Sequence, residues 1–368
     1  MSENNAKPAG IREIATALGI SIGTVDRALH GRSGVSAKTR AKVLQLAESL
    51  KYRPNLAARN LKLNRRIRIA VHLPQQIALF FDPLRDGIRA AAAAAHSLNV
   101  EVDFKTFPRL GNGDVELLEK DLDHGYDGII LTPGDPSIIG RTISRFANQG
   151  TAVICVASDA PRTNRLAGIS VDATASGGIA AELLARTIRI QGTVATITGN
   201  LSTLDHSEKL RGFAATLATL APHLTLIPAI ESHDRPKDAQ QAILTLLERK
   251  TRPLGLYIST ANSLPVLRVL EEHRLLDQIQ VITTDLFPEL IPLLESGKIL
   301  ATLYQRPFTQ GKVAFETLTQ FLVEGVRPDE LMRLAPHIVL RSNLHLFSGR
   351  VALQSDTIMS SYGAESSG

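Results

Sequence analysis

Apolar positions between residues 11 and 30 recur at helical spacing and predict two short helices joined by a turn. The segment reads IREIATALGISIGTVDRALH, in which Ala15, Gly19 and Val25 are separated by four and six residues. A small residue such as Ala15 allows a second helix to cross closely, and Gly19 suits a turn with a positive φ. The pattern is typical of a helix-turn-helix and indicates DNA binding, although a generic helical hairpin would produce part of it.

A third helix is predicted directly after this motif. Ser36 stands three residues before Thr39, which is the spacing of a helix cap, and an apolar period follows. That period runs through Val43, Leu44, Ala47 and Leu50. Pro54 ends the helical pattern, and the next segment, NLAARNLK at 55–62, is too short to form a stable helix alone. We therefore expect residues 55–62 to order only on a partner, for which DNA is the candidate.

Short β-rich runs alternate with helical periods from residue 67 onward. Helices are predicted at 84–98 and 173–190, among others, and ten runs are predicted as strands: IRIAVHLP, VEVDF, GIILTP, AVICVA, ISVD, TVATITG, LTLIPAIE, LGLYIS, QVITTD and ILATLYQ. This alternation indicates an α/β fold with parallel sheets, long enough for two of them. Ligands of such sheets bind beyond the carboxyl ends of the strands, so polar residues at those ends are candidates.

The sign of the net charge changes near residue 66, where the β-rich runs begin. Residues 1–66 contain 13 Lys and Arg against 4 Asp and Glu, a net charge of +9, whereas the remaining 302 residues contain 28 against 32, a net charge of −4. A basic head supplies the phosphate neutralisation that drives DNA affinity, and an acidic body is repelled by the duplex. A solvated basic face without a partner is the alternative.

The strand ends carry a set of polar and aromatic groups that suits a sugar or polyol. Aromatic faces cover apolar C–H patches, and Asp, Asn and Gln bind hydroxyl groups. The candidates are Phe80, Phe81, Thr132, Ser158, Asp159, Asn262, Asp285 and Gln305. Each has an ordinary structural alternative, because a loop Asp often caps a helix and a Phe pair often belongs to the core.

In combination, three segments resemble the LacI family of transcriptional regulators, from about residue 10 to about residue 345. They are IREIATALGISIGTVDRALHG, VSAKTRAKV, and YRPNLAARNLK leading into the strand IRIAVHLP. The resemblance implies an all-α helix-turn-helix head at 1–54, a hinge helix at 55–66, and a core at 67–353. The implied core is a two-lobed, periplasmic-binding-protein type I-like α/β domain with three crossovers. The polar residues 354–368 are expected to be a disordered tail.

The resemblance also assigns candidate contact residues. It places Ile22, Gly23 and Arg27 at base edges in the major groove, and Ser21 and Thr24 at phosphates. The hinge residues Asn55, Arg59 and Leu61 are placed on the operator, with Leu61 as the minor-groove wedge. Gly23 departs from the family, which commonly has a hydrogen-bonding side chain there. Family members often hold a sugar hydroxyl with an arginine in the loop that reads SDAPRTNR in this chain. Arg162 and Arg165 are both candidates for that arginine, and Arg162 is added to the effector-site candidates.

These observations predict a homodimeric, cytoplasmic repressor that binds a palindromic operator and a small sugar or polyol effector. A single cysteine, Cys155, and the absence of an apolar leader in MSENNAKPAG favour the cytoplasm. No membrane, metal or cofactor is expected. An enzyme is the competing class, but the chain lacks the common catalytic motifs, and the adjacent Asp205 and His206 do not by themselves make a dyad. The other alternative is a sugar-binding transport component, which would leave the basic head without a purpose.

Overall fold

The computed structural model describes residues 11–29, 33–50 and 66–347. They form two compact units, a helical head before residue 50 and an α/β core from Arg66 onward. The predicted hinge contacts Asn55, Arg59 and Leu61 and the predicted tail lie outside the described residues. Within the described ranges, no helix combines the length and the apolar character that crossing a membrane requires.

The head contains three helices where the sequence predicts them. They are α1 (Ile11–Leu18), α2 (Ile22–Leu29) and α3 (Ala37–Ser49). Gly19 makes the turn between the first two with a φ of 63°, a value that favours glycine. Ser36 caps α3 by accepting a hydrogen bond from the backbone N–H of Thr39, at 3.1 Å.

The three head helices enclose one small apolar core. Its buried members are Ile14, Ala15, Val25, Ala28, Val43 and Ala47. Leu44 and Leu50, which belong to the apolar period that predicts α3, lie outside this core and are 48% and 37% exposed. Leu44 is turned by about 100° from Val43 around the helix axis, and Leu50 lies one residue beyond the end of α3, so only the i, i+4 pair Val43 and Ala47 of this period is buried.

The core contains thirteen strands and nine further helices among its described residues. The strands are β1 (Ile67–Pro74), β2 (Val100–Phe107), β3 (Gly128–Leu131), β4 (Ala152–Val156), β5 (Ala167–Val171), β6 (Gly192–Thr198), β7 (Leu224–Leu226), β8 (Ile230–Glu231), β9 (Gly255–Ile258), β10 (Gln280–Thr284), β11 (Ala301–Tyr304), β12 (Leu331–Leu334) and β13 (His337–Val339). The helices are α4 (Ala78–Ala94), α5 (Asp114–Lys120), α6 (Pro136–Asn148), α7 (Ala173–Thr187), α8 (Leu204–Leu220), α9 (Pro236–Leu247), α10 (Leu264–Glu272), α11 (Ile291–Glu295) and α12 (Pro307–Glu324).

The strands form two sheets, which define two lobes. Lobe 1 contains the sheet with strand order β12-β5-β4-β3-β1-β2, and lobe 2 contains the sheet β13-β11-β10-β9-β6-β7, with β8 also paired to β6. Every pairing is parallel except that of β11 with β13. The chain passes between the lobes after β5, after β11 and between β12 and β13, which confirms the three expected crossovers.

Glycines allow one close helix crossing in each lobe. In lobe 1, a Cβ at Gly87 of α4 would overlap the backbone of Phe308 in α12. In lobe 2, a Cβ at Gly177 of α7 would overlap the backbone of Lys209 in α8, and one at Gly212 would overlap that of Thr174. The second crossing fixes α8 against α7, and α8 carries Asp205, His206 and Lys209.

The ten strand predictions are confirmed, and one of the predicted runs is divided. The run LTLIPAIE forms two short strands, β7 and β8, because the chain breaks at Pro228 between them. The structure adds β12 and β13, which the sequence analysis did not predict. The first core helix starts at Ala78 and ends at Ala94, not at 84–98, so Phe80 and Phe81 lie in its first turn and do not precede it.

Candidate functional site

The head presents one polar face on α2, and all five predicted contact residues of the motif lie there. Ser21, Ile22, Gly23 and Arg27 are exposed, and Thr24 is half-buried. The Ser21 hydroxyl accepts from the Thr24 backbone N–H at 3.1 Å and therefore caps α2. Val25 and Ala28 occupy the opposite, buried face. The helix thus offers its N-terminal half and Arg27 to a partner.

Side chains on this face are partly linked to each other. The hydroxyls of Ser21 and Thr24 lie 2.8 Å apart, and the Arg27 Nη2 donates to Thr24 Oγ1 at 3.5 Å. A Cβ at Gly23 would meet no atom closer than 3.9 Å, so the space in front of this residue is open. Ile22 is 48% exposed and gives the face its apolar contact. Gly23 has no side chain that could form a hydrogen bond, so Arg27 is the side-chain donor with the longest reach on this face.

A second site is a cavity between the two lobes of the core, with a volume of about 40 Å³. Lobe 1 lines it with Ile77, Phe80, Phe81, Leu110, Thr132, Ala157 and Ser158, and lobe 2 with Thr203, Asp205, His206, Lys209, Asp234, Thr260, Ala261 and Gln305. These residues follow the carboxyl ends of parallel strands or begin the next helix. This is the position at which ligands bind in α/β sheets.

Lobe 1 contributes apolar surface and hydroxyl groups to the cavity. Phe80 and Phe81 pack edge to face, with ring centroids 4.9 Å apart. Thr132 and Ser158 are buried beside them, and neither hydroxyl has a hydrogen-bond partner. Buried hydroxyls are normally paired, so both are available to a ligand.

Lobe 2 contributes a buried lysine. Lys209, on α8, is 1% exposed and donates to Asp205 Oδ2 at 2.7 Å, to Gln305 Oε1 at 2.8 Å and to the backbone oxygen of Ser259 at 3.5 Å. Burial lowers the pKa of Lys209, but the charge and hydrogen bond of Asp205 together with the charges of Tyr257 and Asp285 outweigh that effect, and the pKa is raised overall. The lysine is therefore a fixed ammonium ion inside the protein.

Asp285 holds Gln305 behind this lysine. The Gln305 backbone N–H donates to Asp285 Oδ1 at 2.9 Å, and its side-chain Nε2 donates to Oδ2 at 2.7 Å. Burial raises the pKa of Asp285 to about 6, and the two bonds from Gln305 act against that rise. The φ of Asp285 is 66°, outside the usual range for aspartate, so its backbone is held in a strained conformation.

A His–Asp contact and one bond between the lobes complete the site. His206 Nε2 lies 3.5 Å from Asp234 Oδ2, and the Thr260 hydroxyl donates to Asp234 Oδ1 at 2.6 Å. Burial favours a higher pKa for Asp234, but the charge of His206 and these hydrogen bonds lower it. From lobe 1, the Gln76 side chain donates to the backbone oxygen of Asp234. This bond ties the lobes together at the cavity.

The predicted effector residues divide into two groups. Phe80, Phe81, Thr132, Ser158 and Gln305 line the cavity. The other four do not line it. Asp285 lies behind Gln305, and Asn262 lies beside the cavity with its Nδ2 buried and without a hydrogen-bond partner. Asp159 is engaged by Arg165, and Arg162 is exposed with a φ of 64°. The Arg165 Nη2 donates to Asp159 Oδ2 at 2.6 Å, so each of these two buried charges is occupied by the other.

Sequence reasoning missed Lys209 and Asp234 and set aside Asp205 and His206 as loop neighbours. The latter two lie in the first turn of α8 instead. The spacing of Asp205 and Lys209 is i, i+4, which indicates a surface ion pair in most helices. Only the strand ends around them show that this turn faces a cavity, and Asp234 follows β8, a two-residue strand with no clear pattern of its own.

Comparison with known proteins identifies two family matches. Residues 69–325 match the family described as periplasmic binding protein domain, and residues 10–55 match bacterial regulatory proteins, lacI family. Catabolite control protein A of Priestia megaterium is 23% identical over 90% of this chain and 98% of its own length. The protein of the same name from Staphylococcus epidermidis is 25% identical over 44% of this chain and 47% of its own length.

Solved structures share the fold of the core. A solute binding protein of an ABC transporter from Burkholderia graminis, in complex with D-arabinose, has a TM-score of 0.70 at 23% identity, covering 76% of this chain and 96% of its own. A glucose-galactose binding protein from Geobacillus stearothermophilus has a TM-score of 0.70 at 23% identity, with 76% and 99% covered. A solute binding protein from Bacillus halodurans with bound myo-inositol has a TM-score of 0.70 at 17% identity, with 77% and 98% covered.

Proposed function

Because the chain belongs to the family of periplasmic binding protein domains and carries a lacI-family head, we propose that it is a sugar-responsive transcriptional repressor. The family assignment makes it a DNA-binding regulator. Our proposal adds a homodimer, a palindromic operator, a cytoplasmic location and an effector that occupies the cavity between the lobes. The observation that carries it is the presence, in one chain, of an exposed recognition face on α2 and a cavity lined from both lobes.

The composition of the cavity supports a hydroxylated effector. Phe80 and Phe81 provide apolar faces for C–H groups, and Thr132, Ser158 and Thr203 provide buried hydroxyls without partners. The structural neighbours are named for D-arabinose, glucose, galactose and myo-inositol, all of which have this chemistry. A binding protein without a regulatory role would share the cavity but would not need the head.

The proposed mechanism is linkage between the cavity and DNA. The cavity is lined from both lobes, so a ligand inside it contacts both, and its affinity depends on how the two lobes are arranged. If the operator-bound dimer prefers one relation and the effector another, each ligand changes the affinity for the other by the same factor. No catalytic step is part of this mechanism, and we propose that the protein is not an enzyme.

The small size of the head supports the proposed homodimer. One three-helix head buries little surface on DNA, whereas two linked heads bind a two-fold symmetric site with much higher affinity. Selection of bound sequences from a random DNA pool tests this directly. We expect an enriched palindrome, and enrichment of a single asymmetric half-site would contradict the homodimer.

Arg27 is the residue whose replacement tests base recognition. Arg27→Ala should weaken binding to the selected operator by about 1–3 kcal/mol if the guanidinium contacts a guanine, while binding to scrambled DNA changes less. Arg141→Ala, at an exposed arginine of the core, is the matched control and should bind the operator normally. Equal losses on operator and scrambled DNA would contradict base recognition by Arg27. The wedge role of Leu61 stays a prediction.

A further inference from the structure

Every charged side chain that lines the cavity is already engaged inside the protein: Lys209 and Asp205 by each other, and Asp234 by Thr260 and His206. From this we propose that the cavity selects an uncharged polyhydroxyl ligand and rejects its phosphorylated or carboxylated counterpart. The inference rests on the proposed function, because it concerns the ligand of the same cavity. It adds the charge class of the effector, which the fold and the family do not determine.

Lys209 has no donor left for an anion. An ammonium group has three N–H bonds, and acceptors stand at Asp205 Oδ2, Gln305 Oε1 and the Ser259 carbonyl. The first two distances are 2.7 and 2.8 Å, so these bonds are well formed. A phosphate that approached Lys209 would have to displace the carboxylate of Asp205, which would then remain buried without its cation.

The remaining charges of the cavity repel an anion. Asp205 and Asp234 both line it, whereas none of the described lining residues is an arginine. Arg165, the buried arginine of lobe 1, is engaged by Asp159 and by Glu330. Bringing like charges together across a binding site is strongly unfavourable, and this repulsion is a common source of specificity.

The N-terminus of α8 does not reverse this conclusion. Helix N-termini favour anions, and α8 begins at Leu204, directly at the cavity. Here Asp205 stands in the first turn and supplies the negative charge that this end of the helix attracts. A ligand anion would therefore compete with a carboxylate that the chain itself provides.

The groups that are free in the cavity are three hydroxyls and one ring nitrogen. Four buried polar atoms that belong to lining residues have no hydrogen-bond partner: Thr132 Oγ1, Ser158 Oγ, Thr203 Oγ1 and His206 Nδ1. All four residues are at least nine-tenths buried, so an unmet hydrogen bond is costly there. Two atoms come from each lobe. Hydroxyl groups both donate and accept, and a ligand with several of them meets this requirement on both sides.

Matched ligand pairs test the proposal on the full-length chain. D-Ribose, D-glucose and myo-inositol are each compared with their monophosphates, and D-glucose also with D-gluconate. The melting temperature is measured first, and affinity is then measured by calorimetry. We expect at least one neutral member to raise the melting temperature and to bind with an affinity at least about 100-fold higher than that of its charged counterpart. Equal or tighter binding of a phosphate or gluconate would overturn the proposal.

The outcomes separate this proposal from the proposed function. If a phosphorylated sugar binds and its neutral partner does not, the cavity still binds a sugar, and only the inferred charge class is wrong. If no member of any pair binds, the sugar-binding part of the proposed function fails, and this inference fails with it.

Asp205→Asn tests which residue creates the selectivity. The variant releases Lys209 from its carboxylate partner, so we expect the preference for the neutral member to fall by about tenfold or more. Asp238→Asn, at a partly exposed carboxylate of lobe 2 outside the cavity, is the matched control and should keep the preference. An unchanged preference in Asp205→Asn would contradict the assignment.

Discussion

The two lobes contribute opposite chemistry to the same cavity. Lobe 1 provides two phenylalanine rings and hydroxyls, and lobe 2 provides Asp205, His206, Lys209 and Asp234, the charged and titratable groups of the lining. Both lobes have the same parallel α/β construction and the same close, glycine-mediated helix crossing. The difference therefore arises from the side chains at the strand ends, not from the fold. It suggests that lobe 1 supplies general affinity, whereas lobe 2 decides which ligand is accepted.

Removing the buried cation of lobe 2, Lys209, should have the largest effect on stability. Lys209→Met leaves the buried Asp285 and the 12% exposed side chain of Asp205 without their cation, and the expected loss is about 3–5 kcal/mol in the free energy of unfolding, measured with urea. Adding Asp205→Asn should recover part of it. Arg211→Met, at a 65% exposed arginine of the same helix, is the control and should change stability by about 0.5 kcal/mol or less. A loss below about 1 kcal/mol for Lys209→Met would show that the network is not a coupled unit.

The pH dependence of stability should depend on Asp285 in lobe 2. Its pKa is raised from 3.8 to about 6, so the native state binds the proton more tightly than the unfolded state. The stabilisation is complete below about pH 4 and is lost as the pH rises through about 6, on the order of 3 kcal/mol. Asp285→Asn removes this titration. The free energy of unfolding is measured with urea at pH 4.5 and 7.5. Relative to the unmodified chain, the variant should be more stable at pH 7.5 than at pH 4.5. The same difference between the two chains at both pH values would contradict the role of Asp285.

Changing the aromatic surface of lobe 1 should affect affinity and leave selectivity intact. Phe80→Leu keeps an apolar side chain but removes part of the face against the ligand, with an expected cost of about 1 kcal/mol, or about fivefold in affinity. Calorimetry with a neutral sugar and its phosphate checks both quantities. If the ratio between the two ligands also shifted by tenfold, selectivity would not belong to lobe 2 alone.

The smallest expected effect concerns the bond between the lobes. Gln76→Ala removes the hydrogen bond to the Asp234 carbonyl, which is worth about 0.5–1.5 kcal/mol. Because this bond holds the two lobes together, its loss should lower effector affinity by about two- to tenfold without a change in charge selectivity. Gln75→Ala, at the exposed neighbouring residue, is the control. Equal effects of the two substitutions would remove the special role of Gln76.

The sequence predicted the lobes better than it predicted their chemistry. Strands such as β1 and β4 are continuous apolar runs, which short-range pattern reading detects, and the Gly19 turn and the Ser36 cap are local signals. β12 and β13 were missed because their residues are mostly half-exposed and pair with strands more than thirty residues away in the chain.

The cavity residues show why site prediction was incomplete. Phe80, Thr132 and Ser158 were identified because they follow strands, and strand ends are visible in the sequence. Asp159 and Asp285 follow strands too, but Arg165 and Gln305 engage them, and such partners depend on tertiary contacts. Lys209 lies in the second turn of a helix, where a lysine is ordinarily exposed. Its burial depends on tertiary contacts, among them those with Ser259 and Gln305.

The central claim is that occupation of the cavity changes the affinity for DNA. The direct test is the dissociation constant for the operator selected from random DNA, measured by fluorescence anisotropy with and without a saturating neutral sugar that raises the melting temperature. We predict a change of about 5–150-fold, the usual range of allosteric coupling, and a smaller change in Lys209→Met. Operator affinities that agree within about twofold with and without the bound sugar would contradict the claim.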